Sequence, residues 1–119
     1  MGYVRHVALA VTGHDYSDAI DRAHVEAVRI CGERVTSLIR SPVNGYRSFM
    51  VVPDGSKLGW RESDEATEQR EQLKSWMKLT RHEDGSGPLA WVEVQFGDDE
   101  LDTRVVDDSD ADVRDKRGV

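Results

Sequence analysis

A chain of 119 residues suffices for one domain with its own core, able to bury roughly 65% of its unfolded surface without metal or disulfide staples. Hydrophobic residues make up 38% of it and charged ones 33%, and the longest unbroken apolar run, residues 7–11, excludes a membrane-spanning helix. The formal net charge of −7 is concentrated late, with nine acids against four bases from Asp98 onward, so no concentrated basic face is available and direct nucleic-acid binding is not expected.

A single cysteine, Cys31, cannot close an internal disulfide. The opening MGYVRHVALAVTG lacks the long apolar stretch and cleavage site of a secretory signal, so a reducing cytoplasm is the expected compartment. The tail DDSDADVRDKRGV has almost no large apolar side chains and cannot bury enough surface to offset its ordering entropy. The expectation is therefore one α+β domain over residues 1–106 and a disordered acidic tail over residues 107–119.

In chain order, residues 3–12 place Val7, Leu9 and Val11 on one face and Val4, Ala8 and Ala10 on the other, the mark of a central strand apolar on both sides. Gly13 is read as its end. His14-Asp15-Tyr16-Ser17 then turns into a helix reaching about Cys31, with Gly32 as its C-cap and Ile20, Ala23, Ala27, Val28 and Cys31 toward the sheet. A helix continuing through Gly32 to Ile39 is the alternative, disfavoured by the cost of a helical glycine, about 1 kcal/mol, and by Val35, Thr36 and Ile39.

Residues 34–40 read as a short edge strand, and Asn44-Gly45 carries the type I′ hairpin signal. A second central strand spans residues 46–52 and stops at Pro53-Asp54-Gly55. The second helix is expected from Ser63, as N-cap, to about Arg81, with an inner stripe of Ala66, Leu73, Trp76, Met77 and Thr80 and with Lys74, Lys78, Arg81 and His82 near its C-terminus. After a loop at residues 84–88, residues 89–96 alternate, with Ala90, Val92, Val94 and Phe96 read as inward. A turn at residues 97–99 leads to a short strand near residues 103–106.

This order predicts a ferredoxin-like (βαββαβ) sandwich with an antiparallel sheet, two helices on one face and an extra C-terminal hairpin strand. The first and third strands are expected to be central and mutually parallel, which would bring the turn at residues 13–17 and the loop at residues 53–61 to one edge. His14, Asp15, Tyr16, Asp54, Ser56, Lys57 and Trp60 would gather there, offering an imidazole, carboxylates, an amine and an indole. Each also has a plain structural role open to it: Asp15 as a helix cap, Asp54 in turn chemistry, Trp60 as a lid over the second helix and His14 as a solvated turn residue.

Gly55-Ser56-Lys57 lacks the Walker spacing, and Glu62, Asp64 and Glu65 occupy the helix N-terminus where an anion would bind. One cysteine and four scattered histidines form no zinc pattern, and Cys31 at an inner helix end is read as a buried structural thiol. No metal, cofactor or catalytic residue is expected.

Val43-Asn44-Gly45-Tyr46-Arg47-Ser48-Phe49, the loop Pro53-Asp54-Gly55-Ser56-Lys57 with Gly59-Trp60, and Trp91-Val92-Glu93-Val94 followed by Gly-Asp-Asp resemble stretches of small uncharacterised acidic proteins of actinobacterial phages and prophages. That resemblance implies a phage or prophage accessory protein and brings no catalytic residue with it. The leading expectation is a non-enzymatic protein-interaction module that binds a host or phage protein through the 53–60 loop or a sheet edge. An acidic nucleic-acid mimic acting on a DNA-binding protein is one alternative. A small-molecule binder or simple hydrolase using His14, Asp15 and Lys57 is another. An open sheet edge also leaves a homodimer open.

Overall fold

The computed structural model describes residues 4–81, 87–97 and 101–111. Five strands and two helices follow one another as β1 (His6–His14), α1 (Ala19–Cys31), β2 (Ile39–Arg40), β3 (Tyr46–Val51), α2 (Arg61–Leu79), β4 (Leu89–Phe96) and β5 (Arg104–Asp108). The strands form one sheet in the order β2-β3-β1-β4-β5, with both helices packed on one face and β5 added by a C-terminal hairpin: the ferredoxin-like arrangement. Among the described residues no helix is long and apolar enough to cross a membrane.

Every neighbouring pair is antiparallel, including β1 with β3. The expected parallel central pair is therefore corrected. The α1 crossover makes β1 and β2 run the same way on either side of β3, and the β2–β3 hairpin, with Asn44 and Gly45 both at positive φ (66° and 70°), reverses the chain before β3 meets β1. His14 consequently faces Tyr46, while Leu9 faces Val51.

Helix α1 stops where the sequence places its stop, at Gly32 with φ 62°, and a single 3₁₀ turn over Gly32–Arg34 follows instead of further α-helix. Ile20, Ala23, Ala27 and Cys31 are buried, but Val28 is exposed on the helix flank. Gly13 does not end β1, which runs on to His14. A Cβ at Gly13 would lie 2.9 Å from Ile20 Cβ and 3.1 Å from Leu89 Cδ2, so the glycine lets α1 and β4 close in on the strand.

Helix α2 begins two residues before Ser63: Trp60 occupies the N-cap position, and its carbonyl accepts from the N–H groups of Ser63 and Asp64. Its buried stripe is Ala66, Arg70, Leu73, Lys74 and Met77, so two cations lie where an apolar reading passes over them. Leu9, Val11, Ile20, Phe49, Val51, Leu73, Met77 and Trp91 form the core between helices and sheet.

The facing of β4 is the reverse of the expected one. Residues directly opposite in an antiparallel pair share a face, and Trp91 and Glu93 pair with the core residues Val11 and Leu9. Leu89, Trp91, Glu93 and Gln95 are thus buried beneath the helices, and Ala90, Val92, Val94 and Phe96 lie on the opposite side. Strand β5 runs two residues past residue 106, where the domain was expected to end. Asp107 and Asp108 close β5, and the Ser109 hydroxyl accepts the Trp91 N–H at 3.2 Å. The rest of the expected tail, residues 112–119, lies outside the described residues, as do His82 with most of its following loop and the turn acids Asp98 and Asp99.

Candidate functional site

The antiparallel register separates the seven candidate residues into two groups. His14, Asp15 and Tyr16 follow the C-terminal end of β1, whereas Lys57 bridges to Val4 at its N-terminal end, about 30 Å away along a strand rising 3.3 Å per residue. His14 and Lys57 therefore cannot serve one small substrate.

At the first end, the His14 ring lies between Tyr16 and Tyr46, with centroids 4.6 and 4.9 Å away. Its Nδ1 accepts the Tyr16 N–H at 3.0 Å, which leaves the proton of the neutral imidazole on Nε2. Asp15 is an ion-pair partner here and not a helix cap. Its carboxylate is held below the ordinary range chiefly by a hydrogen bond from Arg40, with Arg47 adding to the effect against partial desolvation. Arg47 also grips Asp21 of α1 through two hydrogen bonds of 2.7 Å, so the cluster ties the β2–β3 hairpin to α1. A cleft of about 310 Å³ opens beside His14, Tyr16 and Tyr46.

At the other end, Asp54 accepts the Ser56 N–H at 3.3 Å and the Ser56 hydroxyl, while Gly55 at φ 81° completes the turn. Ser56 is buried by this arrangement. Lys57 Nζ sits 5.9 Å from the centre of the half-exposed Trp60 ring, a cation–π contact on the surface. Cys31 lines a cavity of about 370 Å³ with Asp54 and Glu62, and burial pushes its thiol pKa up, which disfavours a reactive thiolate. Among the described residues no group of His, Cys, Asp and Glu is placed to hold a metal ion.

Two features escaped sequence reasoning. The first is a buried charge network under α2: Glu93 accepts from Arg70 Nε and Lys74 Nζ, each at 2.8 Å, and Lys74 also reaches Asp107 at 3.0 Å and Glu71 at 2.7 Å. Burial opposes the charge on Lys74, but its hydrogen bonds to Glu71, Glu93 and Asp107 outweigh that penalty and raise its pKa. These groups are satisfied by one another and form a structural tie between α2, β4 and β5.

The second is the face of the sheet opposite the helices, which no described element covers. Its positions on β1, β3 and β4 are His6, Ala8, Ala10, Thr12 and His14, then Tyr46, Ser48 and Met50, then Ala90, Val92, Val94 and Phe96; of these twelve only Ala8 is buried, and none is Lys, Arg, Asp or Glu. Thr12 and Ser48 share a hydroxyl hydrogen bond of 2.7 Å, so the polar atoms near the middle satisfy each other. Ile39 and Val105 extend the surface onto the outer strands, where Asp108, opposite Val92, brings a carboxylate to its β5 margin, and a shallow pocket of about 460 Å³ lies among Ala10, Ile39, Pro42 and Met50. Antiparallel sheets with one solvated face ordinarily carry polar side chains there. The signal was present in β1, whose apolar residues fall on both faces. No family model, curated protein or solved structure matches this chain.

Proposed function

We propose that this chain is a non-enzymatic protein-interaction module whose working surface is the uncovered face of its sheet. The observation that carries this reading is the absence of any charged Lys, Arg, Asp or Glu from the twelve outward positions of its three central strands, in a chain whose residues are 33% charged. Water solvates such a face poorly, and a protein surface of matching apolarity removes it from water. The separation of His14 and Asp15 from Lys57 speaks against the hydrolytic alternative, and in the 53–60 loop Asp54 and Ser56 are taken up by their own turn contacts. The lone, buried Cys31 suits a reducing compartment, and we place the module in the cytoplasm.

A photo-crosslinking residue tests the surface directly. With p-benzoylphenylalanine in place of Val94, irradiation of producing cells should yield a discrete protein adduct. The same group in place of Glu68, exposed on α2, should not. Equal labelling at both positions, or no adduct at 94, would overturn the proposal.

A further inference from the structure

Resting on that reading, we infer that the partner covering the sheet face is a second copy of this chain, joined about a two-fold axis face to face. A partner docking by charge finds nothing to pair with on these three strands, and its own charges would be buried without compensation. The surface is complementary to another uncharged, apolar sheet face, and this molecule supplies one. A two-fold axis brings the same patch of each copy together, so the requirement is met by one sequence.

Size supports the same partner. Strands of nine, two, six, eight and five residues, spaced about 4.8 Å apart and rising about 3.3 Å per residue, offer roughly 480 Å² per copy in projection, with Asp108 at the β5 margin the one strand carboxylate on that side, and two copies together come close to the ~1,000 Å² that a specific interface needs. The side chains fit close approach of two sheets. Ala8 and Ala10 on the central strand keep its middle low, and Met50 and Val94 stand on either side of it, as sheets packing about 10 Å apart require. Among the described helices and strands, the charges lie on the helices, on the helix side of the sheet and at its margins. Two copies joined by these faces keep the exposed charges of their described helices apart and in solvent.

The test is the solution mass of the intact chain by light scattering after size exclusion, at about 100 μM, where a dimer of micromolar affinity is populated. The wild-type chain should show twice the 13.4 kDa of one copy. Met50→Glu and, independently, Val94→Glu should each halve it while leaving the far-ultraviolet circular dichroism unchanged, since both side chains lie outside the core. A monomeric wild-type chain overturns the inference, and so does a dimer that survives both substitutions, which would point to pairing along the β5 edge. Together with crosslinking at residue 94, the outcomes separate the two proposals: a monomer with an adduct to another protein removes only the self-partner, whereas a monomer with no adduct removes both.

Discussion

Replacing Glu93 by glutamine keeps the volume of the side chain and removes the charge that two buried cations share. Arg70 Nε and Lys74 Nζ each lie 2.8 Å from its carboxylate, and the side chains of all three residues are no more than 7% exposed. After Glu93→Gln, Lys74 keeps Asp107 and Glu71, but among the described residues the other hydrogen bond from Arg70 is to the Thr67 hydroxyl, at 3.2 Å. Breaking a buried pair on one side costs about 3–5 kcal/mol, a large part of the roughly 6–18 kcal/mol available to a domain of this length. With a urea m-value of about 2 kcal/mol/M, the unfolding midpoint followed by tryptophan fluorescence should fall by about 2 M. The combined variant Glu93→Met, Arg70→Met, Lys74→Met, which removes the three buried charges together, should return to within about 1 kcal/mol of the parent or exceed it. A loss below about 1 kcal/mol for Glu93→Gln, or a combined variant weaker than the single one, would refute the view that the network's cost lies in leaving charges unpaired.

Further expectations concern other parts of the molecule. Gly13→Ala should lose about 1–3 kcal/mol in urea unfolding, because the new methyl group meets Ile20 Cβ at 2.9 Å; an unchanged midpoint would mean that α1 can move away from β1. Asp15 and Asp21 have lowered pKa values through hydrogen bonds from Arg40 and Arg47 respectively, so their contribution is present above the unfolded-state value near 4 and is lost as pH falls through the folded values. Measured urea midpoints should therefore decline below about pH 4, and the decline should flatten in Asp15→Asn, Asp21→Asn; equal slopes would exclude these pairs as its source. The raised pKa of Lys74 makes its contribution complete below about pH 10.4 and lost as pH climbs through the folded value, a loss that Lys74→Met should abolish. Cys31 should react with a thiol reagent far more slowly in the native chain than in urea, and rapid native labelling would contradict its burial.

The elements of this protein are legible in its residues because each rests on local chemistry. Gly32 stops α1, Asn44-Gly45 turns the hairpin, and the apolar spacing from Ile20 to Cys31 identifies one face of a helix; backbone sterics decide all three within a few residues. The ferredoxin-like order follows from their sequence along the chain.

Whatever depended on partners distant in sequence was decided only by tertiary structure. Alternation in β4 could not tell which side was inward, because Glu93 and Gln95 made the buried face look exposed until Arg70 and Lys74 came across from α2 to neutralise Glu93. Gly13 resembled a strand end until α1 was seen to approach it. The seven candidate residues lost their common edge because strand direction, a property of the whole topology, places His14 and Lys57 at opposite ends of β1. Hydrophobic pattern determined that β1 has two faces to cover; the packing of both helices on one side decided which face remained open, because burial belongs to the assembled layers and not to a strand alone.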